Sequence, residues 1–359
     1  MLPTLALIAA FSAPGSGLDD TDKVFVGYLF GSPKGIDFRL YTHLCHAFVT
    51  ADADGNVRKN PRVPDRTLTK DAHEAGVKVL ISLGGWGWDK QFAAIVENPE
   101  AEDRYVKAVL TMVDEFDYDG VDLDWEYPDT AKEVVGFERL TRRLRKGIDE
   151  IGLRKNRTMR LTMAASSNPG TLKWLARGFL LETMDWVNVM TYDYTGDWTD
   201  YAGHQSPLHA SSKQPAGAKR STELSVRYLL ETTGLPASRV ALGIPLYGRG
   251  FPVSKPYAST KGAPKTRVPG GNYANLHKLR ESGWVREWDD ETKTPWLIAP
   301  DHSAVIGYDD AESVALKAAW ATSKGLRGVF FWQVAGDRLP DGSHPLQAAA
   351  RVEWKKGSR

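Results

Sequence analysis

Eight apolar runs of strand length recur along the chain, most of them separated by segments with helical spacing. That alternation constrains the fold more than any other feature of the sequence. The runs are residues 23–30 (KVFVGYLF), 42–50 (THLCHAFVT), 77–83 (VKVLISL), 116–128 (FDYDGVDLDWEYP), 160–165 (RLTMAA), 186–192 (WVNVMTY), 239–246 (RVALGIPL) and 328–334 (GVFFWQV). Helical spacing is found over 68–75, 100–116, 137–151, 172–180, 222–231 and 311–323. Near-continuous apolar strands fit a parallel sheet covered on both faces, as linked βαβ units produce. Eight such units predict an α/β fold closed into a (β/α)8 barrel rather than an open sheet. The 359 residues suit one barrel of roughly 250 residues plus an insertion, or else two ordinary domains. No internal sequence repeat is visible.

The fourth run differs from the others. After the turn signal Asp117-Tyr118-Asp119-Gly120 it alternates strictly, with Val121, Leu123 and Trp125 on one side and Asp122, Asp124 and Glu126 on the other. Residues two apart on a strand share a face, so three carboxyl groups follow one another within ~7 Å steps. Pro128 cannot continue a central strand, which puts Glu126 at its C-terminal end. Three carboxylates facing one interior cannot all ionise, so at least one holds a proton at neutral pH. A protonated carboxyl beside ionised ones is what general acid catalysis requires. An exposed edge strand with a solvated acidic side would show the same alternation, although Trp125, Tyr127 and Pro128 argue against it.

Composition excludes several other classes. With 46 Lys and Arg against 45 Asp and Glu, the net charge of +1 gives no case for nucleic acid or a membrane surface as partner. No stretch reaches the ~18 apolar residues of a membrane span. Cys45 has no partner for an internal disulfide and reads as a small buried hydrophobe. The eight His are scattered, so no metal site is expected. Twelve Trp, 13 Tyr and 12 Phe suit either a large core or sugar binding, since aromatic faces stack on the apolar faces of pyranose rings. Residues 1–17 carry an apolar core followed by small residues, like a secretory leader without its positive start. Export, to the periplasm or outside the cell, is the expectation; a disordered leader is the alternative.

Barrel enzymes place their chemistry at the C-terminal ends of the strands, and several motifs fall there. Gly84-Gly85-Trp86 follows the third run, with glycines for tight turns and a Trp as stacking platform or core residue. Met190-Thr191-Tyr192-Asp193 ends the sixth, where residues 190 and 192 share a face. A Tyr hydroxyl there can donate to an amide carbonyl, and an Asp can hold a sugar hydroxyl or cap locally. Arg249, after the seventh run, fits a surface residue, an ion-pair partner of the acidic strand, or a substrate contact. Trp332 in the eighth run, Phe48 in the second and Tyr28 in the first are candidate lining residues.

Asp119-Gly120-Val121-Asp122-Leu123-Asp124-Trp125-Glu126 resembles the DGxDxDxE signature of family 18 glycoside hydrolases, the chitinase family. Residues 82–86 resemble that family's SxGG motif, 190–193 its MxYD, 243–249 its GxPxYGR, Trp332 its barrel-floor tryptophan, and Trp198 with 203–208 its loop after strand six. The likeness runs from about residue 24 to 348, and its expected domain is 18–359. Residues 250–307 resemble the small α+β insertion of one subgroup, here shortened. The resemblance implies a retaining chitinase cleaving β-1,4 bonds between N-acetylglucosamine units, with the substrate's acetamido group as nucleophile. Glu126 would be the acid, Asp124 would orient the acetamido N–H, Asp122 would share a proton with Asp124, and Tyr192 would hold the acetamido oxygen. Substrate contacts would come from Gly84, Gly85, Trp86, Tyr127, Met190, Thr191, Asp193, Arg249, Trp332 and Phe48. The implied partner is chitin or a chitooligosaccharide, the chain acting as a monomer without a metal or organic cofactor. Other branches of the family act on N-glycans or peptidoglycan, and lectin-like relatives bind without turnover; the acidic residue at 126 argues against the latter.

Overall fold

The computed structural model describes residues 23–264, 266 and 268–356, so the leader expected over 1–17 lies outside the described residues. Strands β1 (Val24–Phe30), β2 (His43–Val49), β3 (Lys78–Gly84), β4 (Gly120–Asp124), β5 (Arg160–Ala165), β6 (Trp186–Val189) and β7 (Val240–Pro245) pair in parallel. The barrel closes through β13 (Gly328–Trp332), which lies between β7 and β1, with Val24 opposite Gly328. These are the eight strands that the apolar runs predict. Their outward residues, among them Val121, Leu123, Leu161 and Val187, enter one continuous core shared with the surrounding helices.

Helices α1 (Arg66–Glu74), α2 (Asp89–Glu97), α3 (Pro99–Glu115), α4 (Ala131–Lys155), α5 (Pro169–Leu172), α6 (Arg177–Thr183), α7 (Thr222–Thr233), α9 (Ala311–Ser323) and α10 (Pro345–Lys356) surround the barrel. Local chemistry sets their starts. Asp65 accepts from the amides of Thr67 and Leu68 at α1, and Asn98 from Glu100 and Ala101 at α3. Thr130 and Glu133 form a reciprocal capping box at α4. The spacing over 172–180 suggests one helix, but the chain forms two. The break falls at Ala176, whose backbone is extended. Leu172, Phe179 and Leu180 still reach the core from the two separate segments, which is why their spacing imitates a single helix.

After β7 the chain leaves the barrel as β8 (Tyr247–Phe251), β9 (Gly271–Asn272), α8 (Tyr273–Leu279), β10 (Val285–Asp289), β11 (Thr294–Ile298) and β12 (Val305–Gly307). Its strands form an antiparallel sheet in the order β10-β11-β12-β8-β9. Phe251, Val253, Trp296, Ile298 and Val305 give this sheet its own small core, completed by Ala202 from the segment after β6. Among the described residues no helix is long and apolar enough to cross a membrane.

Candidate active site

Alternation along β4 sorts its side chains into two environments. Val121, Leu123 and Trp125 turn out into the helical layer, where Trp125 stacks on Phe92 with centroids 5.1 Å apart and donates from Nε1 to Asp89. Asp122, Asp124 and Glu126 turn inward, at increasing height towards the C-terminal mouth of the barrel. There a cavity of about 1280 Å³ is lined by Asp124, Glu126, Tyr127, Met190, Tyr192, Asp193, Arg249, Trp332, Phe48 and Trp86, with Gly84 and Gly85.

Asp122 lies beneath this cavity rather than in its wall, and it is fully buried. Three other barrel strands fix it directly. Ser82 Oγ of β3 donates to Oδ2 at 2.8 Å, and Thr162 Oγ1 of β5 donates to Oδ1 at 2.6 Å. Asn188 of β6 approaches Oδ1 at 3.4 Å and donates to the Tyr28 hydroxyl of β1 at 3.1 Å. Burial raises the Asp122 pKa, and the hydroxyl donors oppose that rise by stabilising the carboxylate.

Asp124 has no such support. Its Oδ1 is buried without a hydrogen-bond partner among the described residues. Its pKa is pushed well above the usual carboxylate range by burial, then by the charges of Glu126 and Asp122. Glu126 is also raised, chiefly by burial; the Tyr127 hydroxyl, donating to Oε2 at 3.0 Å, pulls it down, and the charge of Asp193 pushes it up. A proton is therefore retained on the Asp124–Glu126 pair at pH values where isolated carboxyls have lost theirs.

The strand ends supply the remaining walls. Trp332 stacks on Phe48 at 5.7 Å and lies 5.8 Å from Tyr28, forming an aromatic floor. Tyr192 packs edge-on against Tyr247 and Phe330 at 6.3 and 6.1 Å, and burial first of all keeps its phenol protonated. Arg249 pairs with Asp193 at 2.8 Å and lies over the rings of Trp198 and Tyr247. It is neither a free surface residue nor a partner of the acidic strand; its partner is the Asp of the MTYD segment. Trp86 projects from the rim with 82% of its surface exposed. Its glycines serve the turn: Gly85 donates its amide to the Asp124 carbonyl at 2.8 Å, and a Cβ there would stand 2.6 Å from the Phe48 ring. Non-proline cis peptides join Ala47 to Phe48, Glu126 to Tyr127 and Trp332 to Gln333.

One expected contact is corrected. Thr191 does not face the cavity: its hydroxyl donates to the Gly243 carbonyl at 2.6 Å inside the barrel wall. Alternation already opposes it to residues 190 and 192. Sequence reasoning missed the supports Thr162 and Asn188, and gave no role to Ser82 and Tyr247, which it placed only within the 82–86 and 243–249 motifs. Asn188 shares a face with Met190 and Tyr192, which is a usable signal. For Ser82 and Thr162 the signal is a hydroxyl on an inward strand position, which means little until the register beside Asp122 is known. Among the described residues no group of three or more His, Cys, Asp or Glu is arranged to hold a metal ion.

The chain matches the family model "Glycosyl hydrolases family 18" over residues 21–337. It is 28% identical to Chitinase A1 of Niallia circulans, over 76% of this chain and 42% of that protein, so it spans less than half of that relative's length. It is also 28% identical to a chitinase-like effector of Moniliophthora roreri, over 92% of this chain and 90% of that one. Among solved structures, a mutant GH18 chitinase from Cycas revoluta in complex with (GlcNAc)4 superposes with a TM-score of 0.79. The two are 27% identical, over 92% of this chain and 99% of that chain.

Proposed function

The chain belongs to family 18 of the glycosyl hydrolases, and from that premise we propose that it is a retaining chitinase whose substrate supplies the nucleophile. The observation that carries this reading is the vertical series Asp122, Asp124 and Glu126, with the partnerless Asp124 oxygen beside the cavity. The relatives' names and the bound (GlcNAc)4 of the Cycas protein support N-acetylglucosamine chains as substrate.

The sugar to be cleaved sits on the Trp332 floor, with its 2-acetamido group directed at Asp124 and Tyr192. Glu126 gives its proton to the glycosidic oxygen as the C1–O bond breaks. The acetamido carbonyl oxygen attacks C1 from the opposite face and closes an oxazolinium ring, whose N–H donates to Asp124. Asp124, with its proton passed down to Asp122, is then a carboxylate that electrostatically stabilises the positive charge developing there. Tyr192, held neutral by burial, donates to the acetamido oxygen and keeps it in line for attack. Water then attacks C1 as the bond between C1 and the acetamido oxygen breaks, which reopens the ring and restores the acetamido group. The water loses its proton to Glu126, and the original anomeric configuration returns. Asp122, fixed from beneath by Ser82 and Thr162, tunes the protonation of Asp124.

The test is the Glu126→Gln variant on N-acetylchitooligosaccharides. Removing the acid while keeping the shape lowers kcat by ~10²–10⁴-fold, with oligosaccharide affinity retained. Turnover within tenfold of wild type would refute Glu126 as the acid.

A further inference from the structure

Helix α9 carries a lysine, Lys317, that is wholly buried and paired with buried Asp309 at 2.7 Å. Ion pairs removed from water are costly, and apolar residues of similar volume commonly stabilise as well or better. A charged pair in this position therefore calls for a further role, and its hydrogen bonds indicate one. Lys317 Nζ also donates to Ser206 Oγ at 2.8 Å. With an oxygen lone pair of Ser206 engaged in this way, its hydroxyl proton points to the Thr191 carbonyl, to which it donates at 2.7 Å. Asp309 is itself held by Ser313 Oγ of α9 at 2.7 Å.

The Thr191 carbonyl belongs to the peptide that precedes Tyr192. Strand β6 has already ended at Val189, so the segment bearing Met190, Tyr192 and Asp193 lacks a continuing ladder. Its polar groups are satisfied one at a time. The amide of Met190 donates to Ala165, that of Thr191 to Val189, and the Thr191 hydroxyl to Gly243. Asp193 follows in the left-handed region at φ 57°, which fixes its direction at some cost in backbone energy. Of these ties, the one through Ser206 is the only one just described that reaches past the barrel wall to a charged pair.

We propose that Ser206, with Lys317 and Asp309 behind it, is a positioning residue for Tyr192: the buried pair orients the Ser206 hydroxyl, and that hydroxyl fixes the peptide from which the Tyr192 phenol reaches the substrate. This role rests on the reading of Tyr192 given above. It involves no contact between Ser206 and substrate.

The experiment is a double-mutant cycle of Ser206→Ala and Tyr192→Phe, followed by hydrolysis of N-acetylchitooligosaccharides and by oligosaccharide binding. A small displacement of a positioned group costs up to ~10²-fold in rate. Ser206→Ala is therefore expected to lower kcat by ~10–100-fold while substrate affinity changes less than threefold, and this penalty should vanish in the Tyr192→Phe background. Additive losses in the cycle, or a Ser206→Ala kcat within twofold of wild type, would overturn the positioning role alone. If Tyr192→Phe by itself keeps full turnover, the reading of Tyr192 fails and the positioning role fails with it. Lys317→Met/Asp309→Asn, which removes both buried charges together, gives a second route to the same split between kcat and affinity, with the same reversal if kcat is unchanged.

Discussion

Asp124 is where this chain departs furthest from what stability alone would select. Its carboxyl is buried, one oxygen has no partner, and two further carboxyls stand beside it on the same strand face. Its pKa is raised on folding, so folding favours its protonated form. The stabilising contribution is complete below the unfolded value of about 3.9 and is lost as pH rises through the higher folded value. Asp124→Asn, which cannot ionise, should then melt at a higher temperature than wild type at pH 8, and the difference should shrink towards pH 4. Calorimetry across that range checks it; a variant less stable than wild type at pH 8 would contradict the electrostatic account. The acidic face was legible in the sequence because strand alternation is a two-residue period. The environment of Asp122 was not, since Ser82, Thr162 and Asn188 reach it from three other strands. Only the closed register brings them together.

Strand ends and turns decide whether those carboxyls meet a ligand. Gly84 closes β3 at φ 105°, and a Cβ there would strike the Asp124 backbone carbonyl and the Phe92 ring. Gly84→Ala should cost roughly 2–4 kcal/mol from backbone strain and overpacking together, read from urea unfolding. A loss below about 1 kcal/mol would mean that the turn relaxes without disturbing β4. Helices α1, α3, α4, α7 and α9 follow from spacing one for one, and the spacing over 172–180 covers α5 and α6 without showing the break at Ala176. Helices α2 and α10 were not anticipated although their spacing is equally amphipathic: α2 buries Phe92, Ile95 and Val96, and α10 buries Leu346, Gln347 and Ala350. The first directly follows a Gly-rich turn and the second begins at Pro345, just after a polar loop, which obscures where they start. The strand after which Tyr192 comes is shorter than its run suggests, because Met190 and Tyr192 are apolar for a reason other than ladder pairing: they pack with Tyr28, Phe330 and Trp332 at the cavity.

At the scale of the whole molecule, closure of the barrel gathers residues from β1, β2, β3, β4, β5 and β13, and from the segments that follow β4 and β6, around one mouth. Eight apolar runs foretold that closure. The insertion was visible as an interruption of their rhythm, but its sheet order was not, because antiparallel pairing of short strands depends on contacts such as Trp296 with His204 that lie far apart in sequence. The insertion adds Gly248, Arg249, Gly271 and Asn272 to the cavity wall, so it shapes the cleft that the barrel bottoms. All of these parts serve a single claim, that the acetamido group of the substrate attacks C1 while Glu126 protonates the leaving oxygen. Proton NMR of N-acetylchitooligosaccharide hydrolysis during the first minutes, before mutarotation, tests it most directly. The account predicts that the newly formed reducing end appears as the β-anomer and converts to α only later. An α-anomer appearing first would mean direct attack by water, and would contradict it.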